Sequence, residues 1–232
     1  MNPGIIFLIA GALLIGTGAT LPRVAAFFVV SLGIAYLGVG ICYVSGSPRW
    51  FFKRADGRLS PLSFVMFWPY HLLNWISLTT LRLVSQEPAF DEIIPGLYLG
   101  RRLCAADCAR LPGGGTVSVL DLTCELSEAA ALRRGNYLCI PVLDRLRPTR
   151  AEFEAGIQFI RERRQAGPVY MHCALGHGRS ATFVVGYLVT AGIETNCERA
   201  IERVQSKRPP VRLHPEQLQL LQEMFKPNET NA

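Results

Sequence analysis

The segment YMHCALGHGRSAT, residues 170–182, places a cysteine six residues before an arginine, with two glycines between them. An apolar, strand-like run precedes Cys173 and an apolar, helix-like run follows Arg179, so the cysteine loop Cys173–Arg179 should join a strand to a helix. At such a junction, backbone N–H groups at the start of the helix favour a bound anion. Gly176 and Gly178 would let the loop curl with successive N–H groups directed inward, as a nest for phosphate oxygens. The predicted phosphate-binding residues are therefore Ala174, Leu175, Gly176, His177, Gly178 and Arg179.

Two side chains of the cysteine loop suit the chemistry of a bound phosphate group. Arg179 carries a planar guanidinium that can hold two phosphate oxygens at once. The same positive field should lower the pKa of Cys173, which favours the thiolate. The loop thus predicts an anion site beside a nucleophile that is charged enough to attack phosphorus.

The elements that must position this loop extend over residues 87–226. Short apolar runs alternate there with longer helical runs, which predicts an α/β domain around a central, mostly parallel sheet flanked by helices. Pro148 and Thr149 give a start signal for a long helix, and ELSEAAALRR, residues 125–134, predicts a short one. The seven cysteines are scattered without a zinc-binding pattern, which favours buried thiols in a reducing compartment.

Three stretches together carry a resemblance to a known family. The run His172-Cys173-x5-Arg179-Ser180 resembles the signature of cysteine-dependent protein phosphatases of the dual-specificity group. IIPGLYLGRR, residues 93–102, resembles the entry strand of that group, and IPVLD, residues 140–144, resembles its general-acid loop. The helix PTRAEFEAGIQFI and the cysteine loop also resemble the membrane-associated branch that dephosphorylates phosphatidylglycerophosphate. The resemblance implies a fold like that of the protein tyrosine phosphatases, of dual-specificity size.

The resemblance also implies a role for each residue of the site. Cys173 attacks phosphorus and forms a phosphocysteine intermediate, and Arg179 stabilises the equatorial oxygens of the transition state. Asp144 protonates the leaving oxygen and then accepts a proton from the attacking water. Ser180 hydrogen-bonds the sulfur, and His172 supports the loop without transferring protons. No metal ion and no cofactor is required.

Some assignments have alternatives. Asp121 and Glu125 compete with Asp144 for the role of general acid, although Asp121 closes a strand with no proline-bounded loop after it and is expected to support structure. His177 is expected to be a solvated loop residue, and it stands where related phosphoinositide phosphatases often carry lysine.

The expected substrates are phosphotyrosine, phosphoserine and phosphothreonine of proteins. A phospholipid head group is the alternative, and a catalytically inactive phospho-binding module is a second one.

The first 48 residues have the composition of membrane-spanning helices. The apolar segments 5–20 and 24–44 are separated by TLPR, and Arg23 is the only charged residue between Gly4 and Val44. At 1.5 Å per residue the second segment spans roughly 30 Å, and the first about 24 Å. We expect two transmembrane helices in residues 1–48, because the basic stretch that would precede the core of a signal peptide is missing from MNPG.

The segment 49–86 begins with basic residues, which are expected to lie next to the membrane. It continues with an aromatic run, which is expected to lie at the membrane interface. Over residues 49–58 four basic residues and one acidic residue give 4 − 1 = +3, which favours the cytoplasmic side and contact with anionic lipids. This charge accounts for part of the net charge of +6 without a nucleic-acid partner. The apolar run 59–84 is expected to lie at the interface, with a third span as the alternative, because Pro69, His71 and Asn74 would fall near the middle of a span. The phosphatase domain would then be cytoplasmic, and residues 227–232 would form a flexible tail.

Overall fold

The computed structural model describes residues 2–112 and 117–225, so the predicted tail 227–232 lies outside the described residues. The chain divides into two compact units. The first comprises Met1–Arg54, Arg58–Glu87 and Cys124–Ser127, and the second comprises Ala55–Gly57, Pro88–Thr123 and Glu128–Ala232.

The first unit is helical. Its elements are α1 (Pro3–Gly18), α2 (Arg23–Ser45), a 3₁₀ helix (Pro48–Phe51) and α3 (Pro61–Val84). Helix α1 begins at Pro3 because the Asn2 side chain accepts a hydrogen bond from Gly4 N at 2.8 Å. Helix α3 is interrupted at Phe67, which has non-helical dihedral angles and lies two residues before Pro69.

Glycines allow α1 and α2 to pack closely in opposite directions. A Cβ added to Gly4 would meet Gly40 and Val44, and one added to Gly11 would meet Gly33. Gly16, by contrast, has no neighbour that an added Cβ would meet within 4 Å. Close backbone approach through small residues is the packing that helices use in an apolar solvent.

Among the described residues, one helix, Arg23–Ser45, is long and apolar enough to cross a membrane. Helix α1 is also apolar, but with 16 residues it is shorter. Helix α2 lies near the amino terminus, where composition and length are weak evidence of membrane association.

The second unit contains a five-stranded mixed sheet in the order β1-β2-β5-β3-β4. The strands are β1 (Phe90–Ile94), β2 (Leu97–Arg101), β3 (Ser118–Thr123), β4 (Tyr137–Val142) and β5 (Val169–Cys173). The edge strand β1 is antiparallel to β2, and the other neighbouring pairs are parallel. The prediction of a mostly parallel sheet in an α/β fold is therefore confirmed.

Helices cover the sheet, and the largest apolar core lies on one of its faces. The helices of this unit are α4 (Ala105–Cys108), α5 (Arg150–Ala166), α6 (Arg179–Thr190), α7 (Cys197–Lys207) and α8 (Pro215–Phe225). Met171 of β5 packs with Phe153 of α5 and Phe183 of α6 in the larger core, whereas Tyr170 belongs to the smaller cluster. Strand β5 is the central strand and is packed on both faces, so the position of its carboxyl end is well defined.

The predicted short helix over residues 125–134 is wrong, since these residues form bends and turns. The two glutamates of this segment bond to neighbouring backbone groups: Glu125 Oε2 accepts from Cys124 N at 2.9 Å, and Glu128 Oε1 accepts from Ala129 N. Side chains that bond to nearby backbone groups compete with the helical pattern.

Candidate functional site

The cysteine loop lies at the carboxyl end of β5 and leads directly into α6. Cys173 is the last residue of the strand, and Arg179 is the first residue of the helix. Strands β2 and β3 flank β5 in parallel, so the loop opens at the middle of the carboxyl edge of the sheet. In open α/β sheets this edge is where ligands bind.

The peptide groups of the cysteine loop share one orientation. The carbonyl oxygens of residues 173–178 all accept hydrogen bonds from groups outside the loop. In order along the loop, the donors are His172 Nδ1 at 3.2 Å, Arg102 N at 3.1 Å, Arg208 Nη2 at 2.9 Å, Arg208 Nε at 3.1 Å, Arg212 N at 3.0 Å and Thr182 N at 2.9 Å. In a trans peptide the C=O and the following N–H point in opposite directions, so the N–H groups of residues 174–179 are directed into the loop. Inward-directed N–H groups of this kind have the geometry of an anion nest.

Gly176 has a backbone conformation and a close neighbour that restrict this position to glycine. Its φ of +78° lies in the left-handed region. A Cβ at this position would overlap the carbonyl oxygen of Gly100 in β2. Gly178 has a φ of −122°, so the left-handed conformation is needed at the first of the two predicted glycines and not at the second.

The sulfur of Cys173 is buried and faces hydrogen-bond donors. Gly176 N donates to Sγ at 3.3 Å, and the Ser180 hydroxyl donates to it at 3.4 Å. Burial raises the pKa of Cys173, but the nearby Arg179 guanidinium and the hydrogen bonds from Ser180 outweigh burial, so the pKa lies below its ordinary value. This environment favours the thiolate.

Arg179 connects the cysteine loop to the acid loop, which we define as residues 143–149 between β4 and α5. Its side chain is buried, Nη1 donates to Val142 O at 2.9 Å, and Nη2 lies 3.4 Å from Asp144 Oδ1. The structure therefore brings Asp144, Cys173 and Arg179 together. Asp144 is exposed, which suits a group that must meet a leaving oxygen.

The two alternative acids lie in different surroundings. Asp121 is fully buried and accepts hydrogen bonds from Thr123 N and Oγ1 at 2.8 Å and from the Tyr137 hydroxyl at 2.6 Å. Glu125 is buried in the first unit and accepts from Cys124 N. Both carboxylates are thus bonded to nearby groups of the protein, whereas Asp144 lies beside Arg179.

His172 lies behind the loop in a buried polar cluster. Its Nδ1 bonds the Cys173 carbonyl, and its Nε2 contacts Glu128 Oε2 and lies 3.8 Å from Asp121 Oδ1. Asp121, Glu128 and His172 have the donor types of a metal site, and their ligand atoms lie within 4.8 Å of one another. His172 Nε2 contacts Glu128, and Asp121 accepts hydrogen bonds from Thr123 and Tyr137, so these ligand atoms already have partners within the protein. We therefore interpret the cluster as a support for His172.

Sequence reasoning missed three residues around the loop. Arg208 binds the carbonyl oxygens of Leu175 and Gly176, Glu128 contacts His172, and Gln217 Nε2 donates to Leu146 O of the acid loop at 3.2 Å. All three are buried. A buried arginine or glutamine has no periodic signal of its own, so the pattern of charges could not have identified them.

Comparisons with known proteins agree with this geometry. Residues 97–226 match the family model described as dual specificity phosphatase, catalytic domain. Phosphatidylglycerophosphate phosphatase PTPMT2 of Arabidopsis thaliana is 32% identical over 166 residues, which cover 68% of this chain and 71% of that protein. Human dual specificity protein phosphatase 5 is 35% identical over 113 residues, which cover 46% of this chain and 29% of that protein. The crystal structure of PTPMT1 in complex with PI(5)P aligns with a TM-score of 0.52 and 24% identity over 59% of this chain and 94% of that one, which shows a common fold.

Proposed function

Because the chain belongs to the dual-specificity phosphatase family and is a cysteine-based phosphatase, we propose that it hydrolyses phosphomonoesters at a membrane surface through a phosphocysteine intermediate. The resemblance drawn from the cysteine loop is confirmed by the family match. The observation that carries the proposal is the loop itself, in which six outward carbonyl groups turn the intervening N–H groups toward the space beside Cys173 and Arg179.

The reaction would proceed in two steps. The thiolate of Cys173 forms a bond to phosphorus as the bond from phosphorus to the ester oxygen breaks, and Asp144 gives that oxygen its proton. The loop N–H groups and Arg179 hold the three equatorial oxygens. A water molecule then attacks phosphorus, Asp144 accepts its proton, and the thiolate leaves with a hydrogen bond from Ser180. His172 would hold the carbonyl of Cys173 and take no part in proton transfer.

The substrate we favour is a phospholipid head group, which reverses the order expected from the sequence. The support is the Arabidopsis phosphatidylglycerophosphate phosphatase, whose similarity extends over more of this chain than that of the human enzyme. The apolar helix Arg23–Ser45 agrees with a site that works near lipids. Phosphorylated proteins are the second candidate, since the relative of human origin is named as a protein phosphatase.

The catalytic proposal is tested with p-nitrophenyl phosphate in the presence of a chelator. We expect turnover by the wild type and none by Cys173→Ser, with binding of inorganic phosphate retained. Substantial activity in Cys173→Ser would rule out the covalent mechanism, and an inactive wild type would favour a phospho-binding module. A panel of phosphopeptides and vesicles containing phosphatidylglycerophosphate then separates the two substrate classes by kcat/KM.

We also propose the membrane arrangement that the sequence predicts. Helices α1 and α2 would span the bilayer, α3 would lie at its surface, and the phosphatase domain, residues 87–226, would be cytoplasmic. The support is the +3 charge of residues 49–58 after the second helix, together with the exposed apolar residues Phe64, Val65 and Trp75 of α3. A tag placed after Ala232 should be protected from a membrane-impermeant reagent in intact cells. Labelling of that tag would place the domain outside and make α3 a third span.

A further inference from the structure

Among the described residues, Arg208, directly after α7, is the largest side chain that is buried almost completely, with 1% exposure. A guanidinium keeps its charge at any ordinary pH, so burying one is costly unless its donors are bonded to acceptors. The partners of Arg208 therefore indicate what the protein gains from this position.

The guanidinium joins the cysteine loop to the start of the sheet. Nε donates to Gly176 O at 3.1 Å, and Nη2 donates to Leu175 O at 2.9 Å. On the other side, Nη1 donates to Pro88 O at 3.2 Å and to Asp91 Oδ2 of β1 at 2.6 Å. One planar group thus spans two consecutive loop carbonyls, while a carboxylate in the edge strand fixes it from behind.

Arg208 binds the loop beside Gly176, where the residue type restricts the backbone conformation least. Gly176 can adopt positive and negative φ about equally well, so the peptides on both sides of it can turn over. If either peptide turned, its carbonyl oxygen would point at the bound phosphate in place of an N–H. The hydrogen bonds from Arg208 favour the orientation in which the N–H groups of Gly176 and His177 face inward.

We propose that Arg208, anchored by Asp91, is a positioning residue that sets the orientation of the two peptide groups flanking Gly176 for phosphate binding. The inference rests on the proposed function. Arg208 acts through the loop backbone and does not touch the substrate, in contrast to Arg179. The pairing of Arg208 with Asp91 means that the two residues act as a unit.

The experiment compares Arg208→Lys with Arg203→Lys, a matched change on the exposed face of α7, where Arg203 pairs with Glu194. Lysine keeps the charge but cannot bond two carbonyls with a planar fork. We expect kcat to fall at least about tenfold and inhibition by inorganic phosphate to weaken in Arg208→Lys, whereas Arg203→Lys keeps both near wild type.

A second readout reports the loop directly. The chain has four histidines, so selective ¹⁵N-histidine labelling gives few amide signals, among them that of His177. Addition of orthovanadate should shift the His177 amide signal in the wild type, and the shift should shrink in Arg208→Lys. A role confined to stability would lower the unfolding temperature and leave this shift unchanged.

If the Arg208→Lys variant does not fold, Asp91→Ala still tests the proposal, because the Asp91 side chain is 20% exposed. It should weaken phosphate inhibition in the same direction and by less. The folded variants could instead be inhibited by phosphate as strongly as the wild type and show the wild-type His177 shift. That result would overturn the role of Arg208 and leave the proposed phosphatase activity intact. Absence of turnover and of phosphate binding in the wild type would overturn the proposed function and this inference with it.

Discussion

The cysteine loop and the acid loop leave the same edge of the sheet, but they are held in different ways. In the cysteine loop six consecutive carbonyl groups are bonded from outside, and Cys173 and Arg179 are 4% and 2% exposed. In the acid loop the Asp144 side chain is 56% exposed, and Leu146 O accepts from Gln217. The loop that would hold the transferred phosphoryl group is fixed on all sides, whereas the expected proton donor lies on an open segment.

Arg179 is the direct link between these two loops. Its guanidinium bonds Val142 O, where β4 ends, and lies beside Asp144. Directly after Asp144, Arg145 has a φ of 65°, a conformation that non-glycine residues adopt uncommonly and at a cost of roughly 1 kcal/mol or more. The chain therefore turns directly after Asp144, whose carboxylate lies beside Arg179. In the proposed mechanism this difference in exposure would suit two tasks: the rigid loop would bind the phosphate, and the exposed Asp144 would protonate leaving groups that differ between substrates.

Among the variants that test this comparison, the largest effect is expected for Arg179→Lys, which breaks the link between the loops. Lysine cannot bond Val142 O and two phosphate oxygens in one plane, so kcat/KM should fall about 100- to 1000-fold. Steady-state hydrolysis of p-nitrophenyl phosphate measures the loss, with Arg199→Lys on the exposed surface of α7 as the control. A loss of less than tenfold would mean that the loops do not depend on the guanidinium.

Asp144→Asn removes the expected proton donor of the acid loop. An alkyl phosphate needs a proton on its leaving oxygen, so its hydrolysis should slow roughly 100-fold or more, while an ester with a good leaving group should slow much less. The measurement is the ratio of the two rates in variant and wild type, with inhibition by phosphate unchanged. Equal slowing of both esters would indicate a structural role for Asp144 and return attention to Asp121.

Ser180→Ala tests the electrostatics of the cysteine loop with a smaller change. The Ser180 hydrogen bonds and Arg179 lower the pKa of Cys173 against the effect of burial, so loss of the hydroxyl should raise that pKa and reduce the thiolate fraction at a given pH. The pH profile of alkylation by iodoacetamide should therefore move to higher pH. Thr190→Ala removes another hydroxyl from α6, one that bonds Gly186 O, and should leave the profile in place. An unmoved profile in Ser180→Ala would show that the hydroxyl does not stabilise the thiolate.

The same contrast explains what the sequence could and could not predict. The strand, loop and helix around Cys173 follow from a local pattern, and the fold class follows from the alternation of strands and helices. Arg208, by contrast, reaches Leu175 from 33 residues further along the chain, and an arginine before two prolines looks like an ordinary surface charge. Glu128 was expected on a helix because the composition of its segment suits one, but contacts with His172 and neighbouring backbone groups decide its conformation. Partners brought together by the folded sheet leave no periodic signal in the sequence.

The smallest effect is expected for Arg147→Ala, at the exposed end of the acid loop. Arg147 Nη1 lies 2.6 Å from Glu223 Oε2 of α8, but the two side chains are 36% and 46% exposed. An ion pair so accessible to water contributes about 1 kcal/mol or less, and salt screens it further. We therefore expect a small loss in the free energy of unfolding and nearly unchanged hydrolysis of both alkyl and aryl esters. A double-mutant cycle with Glu223→Ala, measured at low and high ionic strength, gives the coupling energy. A large, salt-sensitive fall in alkyl ester hydrolysis would mean that this pair, and not Arg179, holds the acid loop in place.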